Sequence, residues 1–311
     1  MDSLKEIYQK KIKILSETVW DGRAKSDEVD NWLNNFSQSD EVSQDEQIHA
    51  LYLLSNYMYF SSEEIKEMLK AIYRDLFKYP IIKLIREENN HTLDRGLIND
   101  KFDEELKLSR FLGVGNPSES GSHLLYYFRQ ENNIPKKYFI NLNEIYHYVD
   151  GSLQLKNPEI KRYVFIDDFC GGGTQVETYL KEEISKIKSI SSDIELDYFV
   201  LFAGEDGLEY AKNNVNFDKC DAVFKLDKSY RCFGRDSRYE PDEGSKLCWS
   251  FAKNMTQNYG NSLYQNHPLG HNNCQFLLGF FHNTPNNTLP IIWKNSESWQ
   301  PIFRRYDKLY G

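Results

Sequence analysis

The sequence predicts an α/β fold: a mainly parallel sheet flanked by helices, preceded by an N-terminal helical module. Three observations carry that expectation. Residues 1 to about 90 place apolar side chains at helical spacing, whereas beyond Lys107 short apolar runs end in Gly- or Asn-rich turns and lead into helical stretches. No internal repeat or low-complexity segment interrupts either half. The boundary is drawn after residue 95, giving a helical module over 1–95 and an α/β domain over 96–311.

In the front, Leu4, Ile7, Ile12 and Leu15 share one helical stripe, and Val29, Trp32, Leu33 and Phe36 share a second. Ser61 or Ser62 caps a further helix that runs through Ile65, Leu69 and Ile72. The aromatic run Tyr57, Met58, Tyr59 and Phe60 reads as packing surface. Strands are expected at 111–114, 138–140, 163–166, 198–202, 222–226 and 276–281, and helices at 122–131, 175–188, 206–214 and 243–259. The connections near 143–160 and 227–242 are long enough to be active-site loops.

Composition narrows the function. Aromatics make up 14% of the chain, so it can bury a sizeable core, and the net charge of −9 argues against a broad surface for nucleic-acid phosphates. Five cysteines without a C-x-x-C pair make a disulfide framework or a thiolate zinc site improbable and fit a reducing, cytoplasmic setting. The N-terminus MDSLKEIYQKKIKIL mixes charge into its apolar stripe, unlike a signal or transit peptide, and no stretch approaches the ~20 apolar residues of a membrane span.

The most informative segment is VFIDDFCGGGTQ, Val164 to Gln175, where an apolar strand ends in two acids and a glycine-rich turn opens a helix. In parallel sheets ligands collect beyond the carboxyl ends of strands, which puts Asp167 and Asp168 at a binding position. Gly171, Gly172 and Gly173 let backbone N–H groups converge on an anion, the following helix adds its positive end, and Thr174 adds a hydroxyl. A sugar phosphate satisfies both halves, the acids accepting from a ribose diol and the loop taking the phosphate. The plainer alternative is a strand-turn-helix corner with two solvated acids. The Walker pattern is absent, and Gly113-Val114-Gly115 lacks the third glycine of a dinucleotide loop.

VFIDDFCGGGTQ resembles the phosphoribosyl pyrophosphate (PRPP) motif of the type I phosphoribosyltransferases. The resemblance implies that Asp167 and Asp168 contact the ribose hydroxyls and that Gly171, Gly172, Gly173, Thr174 and Gln175 hold the 5′-phosphate. It also implies a pyrophosphate loop from an earlier strand, for which Ser118, Ser120, Gly121 and Ser122 in FLGVGNPSESGSHLLYYFRQ are suitable donors; a capped helix start is the other reading. Gly171 and Gly172 stand where many such enzymes carry an acid or hydroxyl, and Gln175 takes the usual terminal hydroxyl position.

Two more segments bear on recognition. FGRDSRYEP offers Arg235 and Arg238 as a clamp for pyrophosphate or an acidic partner, or as a solvated surface loop. FHNTPNNTLPIIW offers His282, Asn283 and Asn287 for reading a base or sugar edge, or an Asn/Pro turn that bonds its own backbone. His267, His271 and His282 lack zinc spacing. Together these segments and FLGVGNPSESG resemble a bacterial group of phosphoribosyltransferase-like proteins encoded with conflict and anti-phage systems, some of them retrons, over about residues 100–295. That implies a defence effector or regulator acting on PRPP or a nucleotide, with Mg²⁺ carried in by the phosphates and partner proteins from the same operon. Two functions follow: a transferase or nucleotide-cleaving enzyme working at the sugar C1, or a nucleotide-sensing module without catalysis that gates a partner. A nucleic-acid-binding accessory rests on scattered aromatics alone.

Overall fold

The structure, a computed structural model, describes residues 2–36, 40–115 and 120–306, apart from the side chains of 2, 3, 40–44 and 120–122. The chain opens with helices α1 (Asp2–Thr18), α2 (Ser26–Leu33) and α3 (Asp40–Ser55), then a short strand β1 (Met58–Phe60). Helix α4 (Ser62–Ala71) passes through a π-helical stretch, Ile72–Lys78, into α5 (Tyr79–Glu88). Asp94 caps α6 (Arg95–Lys107) by accepting from the N–H groups of Gly96 and Leu97.

Strands and helices then alternate: β2 (Ser109–Gly113), α7 (Ser120–Glu131), β3 (Tyr146–Val149), β4 (Ser152–Leu155), β5 (Arg162–Cys170), α8 (Thr174–Ile190), β6 (Glu195–Gly204), α9 (Glu205–Val215) and β7 (Lys219–Leu226). Helix α10 (Trp249–Leu263), strand β8 (Leu278–Phe280) and the single turn α11 (Pro290–Trp293) follow. None of the described helices is long and apolar enough to cross a membrane.

Contacts divide the chain into two compact units, Met1–Glu64 with Leu226–Gly311, and Ile65–Lys225. This division cuts through the segment 1–95 that the sequence groups as one helical module. The reason is packing. Phe77 of the π stretch meets Phe111 of β2 at 5.0 Å and Phe102 of α6 at 6.2 Å, edge to face, so those helices bury their apolar stripes on the sheet that follows.

In the unit Ile65–Lys225 the sheet order is β2-β5-β6-β7, with β5 parallel to both β2 and β6. Its interior strands are buried on both faces, which is why they read as unbroken apolar runs. On one face Tyr163 and Phe165 of β5 pack with Val176, Leu180, Ile184 and Ile187 of α8 and Ala211 and Val215 of α9. On the other, Phe111 packs against Phe77 and Phe128. The strand expected at 138–140 is instead a 3₁₀ turn, Lys136–Tyr138, entered from Pro135, and only a single bridge joins Phe139 to Phe111. The connection near 143–160 contains an antiparallel hairpin of β3 and β4, whose two turn residues, Asp150 and Gly151, both have positive φ.

Ionic pairing closes the lower end of this sheet. Arg162, the first residue of β5 and 6% exposed, donates through Nε and Nη2 to Glu195 at 3.0 and 2.8 Å. It also stands 3.7 Å from the buried Asp197 and 3.6 Å from Glu105.

In the unit Met1–Glu64 with Leu226–Gly311, β1 and β8 form a separate two-stranded parallel sheet, with Met58 opposite Leu278 and Phe60 opposite Phe280. The strand expected at 276–281 therefore belongs to this pair and not to the main sheet. Trp32 of α2 anchors the same unit by donating its Nε1–H to the carbonyl of Ile291 at 2.9 Å.

Candidate functional site

Strand β5 carries the acids to the carboxyl end of the sheet's interior. The register sets Gly113 of β2 opposite Ile166, and Val114 extends the ladder by donating to the Ile166 carbonyl at 3.2 Å. The chain that follows β2 thus leaves the sheet at the level of Asp167. Residues 116–119, including Ser118, lie outside the described residues, as do the side chains of Ser120 and Ser122; Ser120, Gly121 and Ser122 form the first turn of α7. The same level of the sheet therefore carries both the acids and the start of the loop expected to hold pyrophosphate.

The two acids differ. Asp167 is 6% exposed, while Asp168 is half-buried. One Asp167 oxygen accepts from the backbone N–H of Asp168 at 2.9 Å and the other from the Tyr198 hydroxyl at 3.2 Å. Tyr198 reaches it because Tyr198 of β6 pairs with Phe165, which puts Asp167 on the diagonal one step on, within range of a long side chain. Burial pushes the Asp167 carboxyl well above the usual range, and the charge and side-chain hydrogen bond of Asp168 push it the same way. Beside it, burial and the nearby Asp167 raise the Cys170 thiol to about 12, so this cysteine is packing and not a nucleophile.

The loop then turns through three glycines. Gly173 adopts φ +80° and serves as the N-cap of α8; a Cβ there would stand 2.7 Å from the Gly207 carbonyl oxygen and 2.8 Å from the Tyr210 ring. Gly207, in the first turn of α9, answers it: a Cβ at that position would stand 2.1 Å from the Gly171 carbonyl oxygen. The loop and the α9 start thus approach backbone to backbone. Thr174 and Gln175 are exposed at the first turn of α8, where N–H groups lack intrahelical partners and the helix dipole is positive. Glu177, the acid of that turn, is engaged by Lys181 at 2.7 Å and the Tyr210 hydroxyl at 2.6 Å, and the Lys181 hydrogen bond, with that of Tyr210, holds its carboxyl below the usual range. The arrangement sets a buried carboxyl and a half-buried one beside an amide-rich helix start.

Tyr198 and Gly207 shape the candidate site and are positions that the sequence does not single out. Both lay within elements it had placed, but their roles depend on strand register and on a loop-to-helix approach that no local pattern records.

The other expected site residues belong to the unit Met1–Glu64 with Leu226–Gly311. Arg238 is committed locally: it donates to the Ser229 hydroxyl at 3.0 and 2.8 Å and its guanidinium lies 3.4 Å from the Tyr230 ring centre, while Arg235 is exposed. Asn287 is buried and donates to the His271 carbonyl at 3.1 Å and the Cys274 sulfur at 3.2 Å, which makes it turn scaffolding. Asn283 accepts from the N–H groups of Thr284 at 2.9 Å and Tyr306 at 3.1 Å, and His282 stacks on Phe280 at 5.5 Å. Among the described residues no three His, Cys, Asp or Glu side chains come together to hold a metal.

The PRTase-CE family model matches residues 29–305. No curated protein matches the chain. Similar solved structures include the Helicobacter pylori xanthine-guanine-hypoxanthine phosphoribosyltransferase, 10% identical over 55% of this chain and 86% of that one with a TM-score of 0.28. The AQ2163 protein from Aquifex aeolicus is 10% identical over 64% and 84% with a TM-score of 0.30. Orotate phosphoribosyltransferase from Aeropyrum pernix is 16% identical over 41% and 72% with a TM-score of 0.23.

Proposed function

The chain belongs to the PRTase-CE family, and on that premise we propose that it binds PRPP or a nucleotide at Asp167–Gln175 and breaks or transfers the bond at the sugar C1. One observation carries the reading: an interior parallel strand ends in an acidic pair and runs at once into a glycine turn that opens a 17-residue helix. The half-buried Asp168 accepts from the ribose hydroxyls, and the buried Asp167, held by Tyr198, fixes its neighbour's position. The N–H groups of residues 171–175 take the 5′-phosphate. As the bond from C1 to the pyrophosphate oxygen of PRPP, or to the base nitrogen of a nucleotide, breaks, its electron pair leaves with pyrophosphate or base, positive charge grows on the ring beside the carboxylate, and an acceptor base or water then bonds to C1 and gives up a proton. The substrate's phosphates would carry Mg²⁺, which would supply charge neutralisation there without a cage of protein ligands. The setting we infer is bacterial defence, with operon partners downstream of the nucleotide signal.

A second reading is a nucleotide-sensing module without catalysis. Gly171 and Gly172 favour it, because they leave the loop without a side chain to act as general base. One experiment separates the two. The full chain is mixed with PRPP or nucleotides and Mg²⁺, and pyrophosphate, base and ribose phosphate are followed beside calorimetric binding. Turnover that Asp168→Asn abolishes supports the enzyme, and binding without product supports the sensor. Binding and turnover unchanged in Asp168→Asn would sink both.

A further inference from the structure

A cleft of about 420 Å³ lies wholly within the unit Met1–Glu64 with Leu226–Gly311, and no residue of Asp167–Gln175 lines it. Its lining combines two exposed guanidinium groups, Arg23 and Arg304, with aromatic walls that include the buried Tyr59 and Phe303. The one carboxylate among the lining residues, Glu28, is engaged by the backbone N–H of Lys25 at 2.8 Å at the start of α2. The lining thus carries two cations against one anion, and just outside it Asp21 accepts from the Tyr59 hydroxyl at 3.4 Å.

Asn283 adds a directional contact. Its side-chain oxygen accepts from the N–H groups of Thr284 and Tyr306, so those two bonds fix the amide orientation and leave its N–H₂ end as the one offered to the cleft. The turn behind it is rigid: Phe280 donates to the Asn283 carbonyl at 2.9 Å and Arg305 to the Thr284 carbonyl at 2.6 Å. Cations, an oriented amide donor and flat apolar walls in a space of this size suit a small molecule with one anionic group and one ring.

We propose that this cleft is a second ligand site, for a phosphorylated molecule of nucleoside monophosphate size, with Arg23 and Arg304 on the phosphate and Asn283 donating to the same ligand. The site draws on none of the residues assigned to the PRPP motif, so it stands or falls independently of the proposed activity.

The test is calorimetry on the full chain with AMP, GMP, CMP and UMP in turn, without Mg²⁺. At least one should bind, and Arg23→Glu and Arg304→Glu should each weaken it tenfold or more. Asn283→Asp keeps the two accepted backbone bonds while replacing the donor with an anion, and should also weaken binding at unchanged melting temperature. Binding at the cleft should persist in Asp168→Asn, and any additional binding of the nucleotide that this variant removes belongs to Asp167–Gln175. The proposal is overturned if none of the four binds, if Asp168→Asn removes the binding, or if the three cleft variants all bind like the parent.

Discussion

Strand β5 has two ends of opposite electrical character. At its first residue Arg162 is enclosed by Glu195, Glu105 and Asp197, so each buried charge has a counter-charge within 4 Å. Although burial works against it, the Arg162 and Lys219 charges hold Glu195 below the usual carboxylate range; burial prevails at Asp197, whose carboxyl rises to about 6. At the other end, among the described residues, Asp167 accepts from a tyrosine hydroxyl and a backbone N–H, with a second acid beside it. The first end is closed within the protein; the second keeps like charges together beside amides suited to an anion. Such an arrangement costs folding energy, and an opposing contribution from a bound ligand is what the proposed function supplies.

Three variants would break or sharpen this contrast. The largest effect on stability is expected at the closed end: Arg162→Met removes the cation 3.7 Å from the buried Asp197 and should cost about 3–5 kcal/mol in urea unfolding. The loss should be smaller at pH 5 than at pH 8, since below its pKa of about 6 Asp197 takes up a proton and needs no counter-charge. A variant as stable as the parent at pH 8 would show that the pairing there is decorative. Gly207→Ala comes next, because its Cβ would stand 2.1 Å from the Gly171 carbonyl oxygen and displace the loop. About 1–3 kcal/mol of destabilisation is expected, together with weakened PRPP binding, and calorimetry beside unfolding reads both.

The smallest effect has the opposite sign. Because burial, with the charge of Asp168, raises its folded pKa well above the ordinary carboxylate value, Asp167 contributes stability that is present at low pH and is lost as pH rises through the folded pKa. Asn keeps an acceptor for the Asp168 N–H and does not ionise. Asp167→Asn should therefore raise the melting temperature at pH 8 by a few degrees and change it little at pH 4. Equal losses at both pH values would show that the buried carboxyl is not strained.

The contrast also explains what the sequence could reveal. Strand β5, its glycine turn and α8 were legible because apolar run, acids and helix onset fall within twelve consecutive residues, Val164 to Gln175. The partner of β8 was not, since Met58–Phe60 lies far away in sequence and three residues show no period. The Asp150-Gly151 turn was a missed local signal, an Asp-Gly pair between short alternating runs. Asp167 and Asp168 face opposite sides of the sheet, and the Tyr198 hydroxyl that meets Asp167 comes from across the register, a contact that the adjacent letters D-D do not carry. Asn287 misled for a related reason: its amide suits ligand reading, but the turn uses that same amide to hold itself together.

The pairing of Met58–Phe60 with Leu278–Phe280 also sets a timetable for synthesis. Chain leaves the ribosome at about 5–20 residues per second, so the early strand waits some 11–44 s for a partner roughly 220 residues downstream. The unit Ile65–Lys225 is contiguous and emerges complete within that interval, so the nascent chain holds its α/β sheet before its first 64 residues can finish theirs. During the wait Tyr57, Tyr59 and Phe60 have no sheet to join, and that stretch is where a nascent-chain chaperone would find apolar surface.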